Sequence, residues 1–326
     1  MSILEIIFCN GKFRGIIGFM LADYDLKQIA EPLIRWFGNN ARVLPWREDP
    51  KPYYVWVSEI MLQQTRVEAV KPYFDRFVHK LNDVEALANC PEDELLKLWE
   101  GLGYYNRVRS LKKAAQVMMA EYNGRVPDEY AELMKLPGIG PYTAGAVSSI
   151  AYGRKEAAVD GNVLRVISRL ACDDTDILNP SYRKRMEERL KEVLMELPEE
   201  GNPAGTLNQA LMELGATVCV PNGAPHCEAC PCSEICQGKR TGRLHEIQVK
   251  KKAKARRVEE RTVLIIRDGD AVAIHKRPDQ GLLAGLYELP HTEGHLLPED
   301  VLAYVKERGI SPLRIQPLND AKHIFS

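Results

Sequence analysis

Through most of the first two-thirds of the chain, apolar residues recur every three or four positions, the spacing of amphipathic helices. The first such run opens at Asp25 with Leu26, Ile29, Leu33, Ile34 and Phe37 on one face, predicting a helix over 25–39 that turns at Gly38-Asn39-Asn40. Pro45, Pro50 and Pro52 are expected to keep 44–52 out of helix. A helix over Tyr54–Leu62 follows, with Val55, Trp56, Ile60 and Leu62 apolar. Short amphipathic helices are predicted over 67–79, 84–90 and 92–100, and longer ones from Pro141, through Val163, Val166, Ile167 and Leu170, and over 181–196 and 204–217. Beyond Arg261 the period changes. TVLIIRD and AVAIHKR are β-type runs split by Gly269-Asp270, a hairpin signal, and a helix is expected near 298–308. The closing HIFS reads as the opening of another strand, so the α+β segment is expected to be truncated.

Length and charge refine this picture. The 326 residues suffice for two or three domains, and a net charge of −1 makes any nucleic-acid surface a local patch. No apolar run approaches the roughly 20 residues that span a bilayer, so a membrane-spanning function is excluded. The segment MSILEIIFCNGKFRGIIGFML is broken by Glu5, Asn10, Lys12 and Arg14 and lacks the form of a signal peptide. Translation is expected to start at Met20, leaving 1–19 as a dispensable extension. Residues 238–257 hold nine Lys or Arg and one Glu, which sets a basic linker over 238–258 ahead of the 259–326 segment.

Four stretches carry candidate chemistry. In LPGIGPYTAGAV, 136–147, Gly138 and Gly140 permit positive φ and close backbone approach, and Pro141 suits a first helical turn. The amides of such a turn suit one phosphate, although packing alone also explains the glycines. Glu59 stands among apolar residues; it either faces solvent or is held where desolvation lets it carry a proton at neutral pH. In WEGLGYYNRVRSL, Gly101 and Gly103 present Tyr104 and Tyr105 beside Arg107 and Arg109, a pairing suited to base stacking and phosphate contact. Asp160 either caps the helix that follows or places a fixed negative charge where a cation develops.

Eight cysteines are present, and five fall within 219–236. Cys219, Cys227, Cys230 and Cys236 are spaced C-x7-C-x2-C-x5-C with Cys232 inside. Without a secretory signal this favours a metal site over a disulfide scaffold, and spacing alone leaves zinc and iron–sulfur open. Cys9, Cys90 and Cys172 are isolated.

Taken together, LPWR (44–47), VWVSEIMLQQTRV (55–67), LWEGLGYYNR (98–107), LPGIGPYTAGAV, VDGNVLRV and the four cysteines resemble the MutY-type adenine DNA glycosylases of the helix–hairpin–helix superfamily. The resemblance covers about 25–326. It implies a mainly α fold: a two-part helical core over 20–237, with a six-helix barrel at about 45–145 and a cluster domain from 20–44 and 146–237, then a partial MutT-like lesion-recognition domain. Glu59 falls at the family's proton donor to N7 of adenine, Asp160 at the aspartate that stabilises the oxocarbenium-like sugar, and Asn162 at the active-site asparagine. Tyr142 stands where endonuclease III-type relatives carry the Schiff-base lysine, which implies a monofunctional enzyme. Gln63, Gln64 and Tyr104 fall in the segments that fill the stack beside 8-oxoguanine, while Arg47, Leu62 and Glu59 resemble the adenine-pocket lining and Trp46 supports it. Gly138 and Gly140 match the DNA-gripping turn. The cysteines carry over as ligands of a 4Fe–4S cluster, although x7 replaces the commoner x6, and Cys232 is an extra.

Phe325 and Ser326 match the start of the lesion-reading Phe-Ser-His loop. The acidic signature of MutT-type hydrolases is missing, only Glu307 ahead of Gly309 resembling it, so nucleotide hydrolysis is not expected. The implied partner is duplex DNA containing adenine opposite 8-oxoguanine or guanine, read by a monomer at the nucleoid of a bacterial cytoplasm. An endonuclease III-like enzyme acting on oxidised pyrimidines is the first rival, opposed by Tyr142 and Glu59; a non-catalytic DNA-binding protein is the second, opposed by the retention of both Glu59 and Asp160.

Overall fold

A computed structural model describes residues 24–247, 258–278, 280–281 and 283–322. The expected extension at 1–19 and the Phe325-Ser326 pair lie outside the described residues. The chain divides into two units, 1–251 and 252–326.

In the first unit a 3₁₀ turn over Leu26–Ile29, capped by Asp25, runs into α1 (Ala30–Asn40). Two sequence expectations for the proline segment change. Residues 45–48 form a short helix, α2 (Pro45–Glu48), and α3 spans Pro52–Leu62. In both helices the proline stands in the first turn, where a missing N–H breaks no hydrogen bond, so proline begins the helices it was expected to prevent. The chain continues through α4 (Val67–Lys80), α5 (Val84–Asn89), α6 (Glu92–Trp99), α7 (Asn106–Glu121), α8 (Tyr130–Leu133) and α9 (Pro141–Tyr152). Then follow α10 (Gly161–Ala171), α11 (Pro180–Met195), α12 (Pro203–Thr217) and the single turn α13 (Gln237–Arg240).

These helices enclose two cores. One is built from α2–α9 around Trp56, Phe74, Phe77, Trp99 and Leu111. The other joins the N-terminal segment to α10–α13 around Ile29, Leu33, Val163, Leu190 and Leu211. Met212 on α12 packs against both, and α9 and α12 run in contact where the lobes meet. Gly145, at mid-α9, allows the next segment to pass close by: a Cβ there would lie 2.0 Å from the Ala157 carbonyl oxygen. Among the described residues no helix is long and apolar enough to cross a membrane.

The second unit pairs β1 (Arg261–Val263) antiparallel with a later strand, His291–Glu293, bringing Val263 opposite His291. β2 (Arg267–Asp268) and β3 (Ala271–Val272) form the expected hairpin about Gly269-Asp270, and β4 (His275–Lys276) pairs with β5 (Tyr287–Glu288). The His291–Glu293 strand, β6, precedes α14 (Pro298–Glu307). Of this unit's described residues only Leu264 and Val305 are buried, while Val263, Ile265 and Ile274 are more than half exposed.

Candidate active site

α3 is apolar nearly all round because it lies in the middle of the first lobe, against α4, α7 and α9. Glu59 is therefore carried inward and is 6% exposed. The Tyr142 hydroxyl, from the first turn of α9, donates to its Oε2 at 2.5 Å and also lies 3.5 Å from the Met212 sulfur. Burial is the main force on this carboxyl. With the Asp160 charge adding to it, and the Tyr142 hydroxyl and Arg47 opposing, the pKa of Glu59 is pushed up to about 7. Burial and the two carboxylates together hold the Tyr142 hydroxyl firmly protonated.

Asp160 reaches the same place from the second lobe. It caps α10: Oδ1 accepts from the Val163 N–H at 2.7 Å, and Oδ2 accepts from the Asn162 side-chain amide at 2.7 Å. Of the two roles the sequence offered, the cap is present. Burial raises its pKa, while those two donors and the Arg165 guanidinium oppose the rise. A carboxylate accepting on both oxygens is favoured in its charged form. A cation opposes the rise at each acid, Arg47 at Glu59 and Arg165 at Asp160, but Glu59 has one neutral donor where Asp160 has two, so Glu59 holds its proton the more readily.

Asn162 is oriented from behind. Its carbonyl oxygen accepts from Arg165 Nη2 at 2.8 Å, which turns its amide hydrogens towards Asp160. Arg165 also donates to the Gly215 and Cys219 carbonyls at 2.6 and 2.9 Å, and Arg169 Nη1 lies 3.4 Å from the Cys219 sulfur. Neither arginine was singled out from the sequence. The one available signal was a charge inside a helix whose other residues are nearly all apolar.

Arg47 also faces the site, with its guanidinium 5.1 Å from the Phe37 ring and bonded to Glu213 at 2.9 Å. Trp46 packs edge-on against Phe74, as a support would. Leu62 closes α3, three positions after Glu59, while Gln63, Gln64 and Tyr104 stand elsewhere, on the loops that follow α3 and precede α7. Gln64 and Tyr104 occupy left-handed backbone, with φ of 58° and 48°.

Arg107 explains how those loops are held. It was expected to contact phosphates, but its guanidinium turns inward. Nη1 donates to the carbonyls of Ile60, Met61 and Gln63 at 3.0, 3.0 and 2.6 Å, and Nη2 donates to those of Leu102 and Gly103 at 3.0 and 3.2 Å. The last turn of α3 leaves carbonyls without helical partners, and a buried cation satisfies them. Arg109 is likewise paired, with Glu92 at 2.9 Å.

Between α8 and α9, Gly138 takes φ +77°, and a Cβ there would lie 2.5 Å from that of Ser110. Gly140 does not use the left-handed region: its φ is −107° and it serves as the extended N-cap of α9. Gln63, Asn106, Arg107, Pro137 and Gly138 share one cavity of about 200 Å³, which joins the loop after α3 to the glycine turn.

Cys219, Cys227, Cys230 and Cys236 line a second, small cavity together with Arg169 and Lys239; Cys232 does not line it. Among the described residues no three Cys, His, Asp or Glu side chains are arranged to hold a single metal ion. Burial, with crowding by the neighbouring thiols, pushes Cys230 up to about 12 and raises Cys227 and Cys236. Thiols raised in this way ionise together only around a strongly positive centre.

Residues 57–195 match the HhH-GPD superfamily of base excision DNA repair proteins, and residues 262–326 match the NUDIX domain. The adenine DNA glycosylase of Buchnera aphidicola subsp. Baizongia pistaciae is 32% identical over 303 residues, covering 91% of this chain and 82% of that protein. This chain belongs to the adenine DNA glycosylase family. The Mus musculus member is 33% identical over 365 residues, covering 93% of this chain and 69% of its own length. Among solved structures, a thermostable thymine-DNA glycosylase shares 29% identity at a TM-score of 0.57, covering 69% of this chain and 99% of that one. As a family member the protein is a DNA N-glycosylase, with a helix–hairpin–helix core and a NUDIX-like segment after it.

Proposed function

We propose that this glycosylase hydrolyses the N-glycosidic bond of adenine placed opposite 8-oxoguanine or guanine in duplex DNA. The observation that carries the reading is the meeting of a proton-bearing Glu59 and a hydrogen-bonded Asp160 at one buried place between two lobes. Glu59 gives its proton to N7 of the extruded adenine, and the electron pair of the breaking C1′–N9 bond leaves with the base. Asp160 stabilises the cationic sugar, Asn162 holds the nucleotide and water, and water adds to C1′ to leave an abasic site. Tyr142 offers no amine for a Schiff base, so the enzyme is monofunctional.

Arg47 and Leu62 line the base pocket; Gln63, Gln64 and Tyr104 fill the stack beside 8-oxoguanine, with Ser326 adding to its recognition. The turn at Gly138 and Gly140 grips the backbone. Extruding the base requires unstacking worth a few kcal/mol, and the left-handed tips at Gln64 and Tyr104 give it an insertion point.

Cys219, Cys227, Cys230 and Cys236 hold a 4Fe–4S cluster. The small cavity lined by all four supports this. When bound, the cluster supplies four iron–thiolate bonds that tie the end of α12 to the 227–236 loop. The catalytic core is 20–237, joined through the 238–258 linker to the lesion-recognition segment, and the enzyme works as a monomer at the bacterial nucleoid.

The test is a duplex carrying one adenine opposite 8-oxoguanine, incubated and then split into samples with and without alkali. Cleavage only after alkali, lost in Glu59→Gln, supports the reading. Efficient borohydride trapping of the protein on DNA, or activity only on an oxidised pyrimidine, overturns it.

A further inference from the structure

Glu213 lies on α12, one residue after Met212, and is 1% exposed. A carboxylate this deep needs compensation, and four N–H groups supply it. Arg42 donates through its backbone N, Nε and Nη2 at 3.2, 2.5 and 2.9 Å, and Arg47 donates through Nη2 at 2.9 Å. Arg47 also donates to the Arg42 carbonyl at 3.3 Å. Two arginines around one carboxylate leave a net charge of +1.

That charge matters because of what it faces. The charged and titratable groups acting on Glu59 are Tyr142 from α9, Asp160 from the cap of α10 and Arg47 from α2. Glu68 of α4 adds its field at Arg42. Of the groups facing Glu59, only Arg47 is a cation, and its guanidinium is set by Glu213 and by the Phe37 ring beneath it. Met212 and Glu213 therefore connect α12 to the site twice, at Tyr142 and at Arg47.

We propose that Glu213 is a positioning residue of the reaction: it holds Arg47 in place beside the site and cancels one of two adjacent positive charges, and so sets the electrostatic field at Glu59. Removing the Glu213 charge leaves +2 beside the site and drives the proton off Glu59. Removing the Arg42 charge instead leaves the Arg47–Glu213 pair neutral and favours the proton. The two substitutions therefore act with opposite sign, which loss of packing cannot imitate. The inference rests on Glu59 being the proton donor.

The experiment is the pH dependence of single-turnover adenine excision by the full chain, compared for the wild type, Glu213→Gln, Glu213→Asp and Arg42→Gln. The active form carries the Glu59 proton, so the wild-type rate falls as pH rises through about 7. In Glu213→Gln this fall is expected roughly one pH unit lower, the order of effect of one uncompensated charge near the site at intermediate dielectric. Glu213→Asp restores the wild-type position. Arg42→Gln moves the fall upward by less, because the Arg42 side chain is 34% exposed and screened. If Glu213→Gln does not fold, Arg42→Gln decides alone. A fall that stays in place, or moves the same way in both variants, overturns the inference. If Glu59→Gln leaves the wild-type fall intact, the proton-donor reading itself is wrong.

Discussion

Glu59→Gln tests the central chemistry through stability as well as rate. The wild-type carboxyl sits in an environment that raises its pKa from 4.5 to about 7. Below about 4.5 both the folded and unfolded chains carry the proton, and burial of the neutral acid brings no penalty. As the pH rises from there, the unfolded chain releases the proton while the folded chain keeps it, so stability falls until about pH 7. A gap of some 2.5 units is worth about 3 kcal/mol. Glutamine keeps the shape and an acceptor for Tyr142 but has no proton to lose. The variant should be about 3 kcal/mol more stable than the wild type at pH 7.5, and the gap should close to under about 0.5 kcal/mol at pH 4.5. For a chain of this size that is several degrees in Tm at neutral pH. Adenine excision should drop by about 10² to 10⁴, the usual worth of a positioned proton donor. Urea melts at several pH values beside single-turnover kinetics read both effects. Equal stability at pH 7.5, or a gap that widens on acidification, would refute the burial argument.

Asp160→Asn should slow excision by about 10² or more and cost about 1 kcal/mol of stability, since its carbonyl can still cap α10 but its amide nitrogen faces the Asn162 donor with no acceptor. Gly145→Ala forces a Cβ to within 2.0 Å of the Ala157 carbonyl and should lower the urea midpoint by at least about 2 kcal/mol equivalent. Cys232→Ser should retain about four irons per chain by metal analysis and Cys236→Ser should lose them, because only the latter lines the cavity. Arg107→Met leaves buried carbonyls of two loops unpaired; a stability loss of about 3 kcal/mol and weaker preference for 8-oxoguanine over cytosine opposite adenine are expected, read by denaturation and competition binding.

Much of the fold was legible along the chain. The amphipathic runs became α4–α6, the glycine-proline turn became the entry to α9, and Gly269-Asp270 became a hairpin, because each of these depends on neighbours a few residues apart. Cysteine spacing marked the four that share a cavity. Prolines 45 and 52 misled only because their effect depends on where a helix starts, which no local pattern states.

The surroundings of the charged groups belonged to the tertiary structure. Glu59 lies on a helix apolar on all sides, so periodicity could not say whether it faced water; α9 and the cap of α10 decided that. Arg165 and Glu213 look in sequence like ordinary charges on helices and Arg107 like a surface one, yet each also binds a segment 40 or more positions away. Helical periodicity is a local property of the backbone. Burial, and with it the tendency of one carboxyl to keep its proton while another gives it up, arises only when distant segments exclude water from a common place.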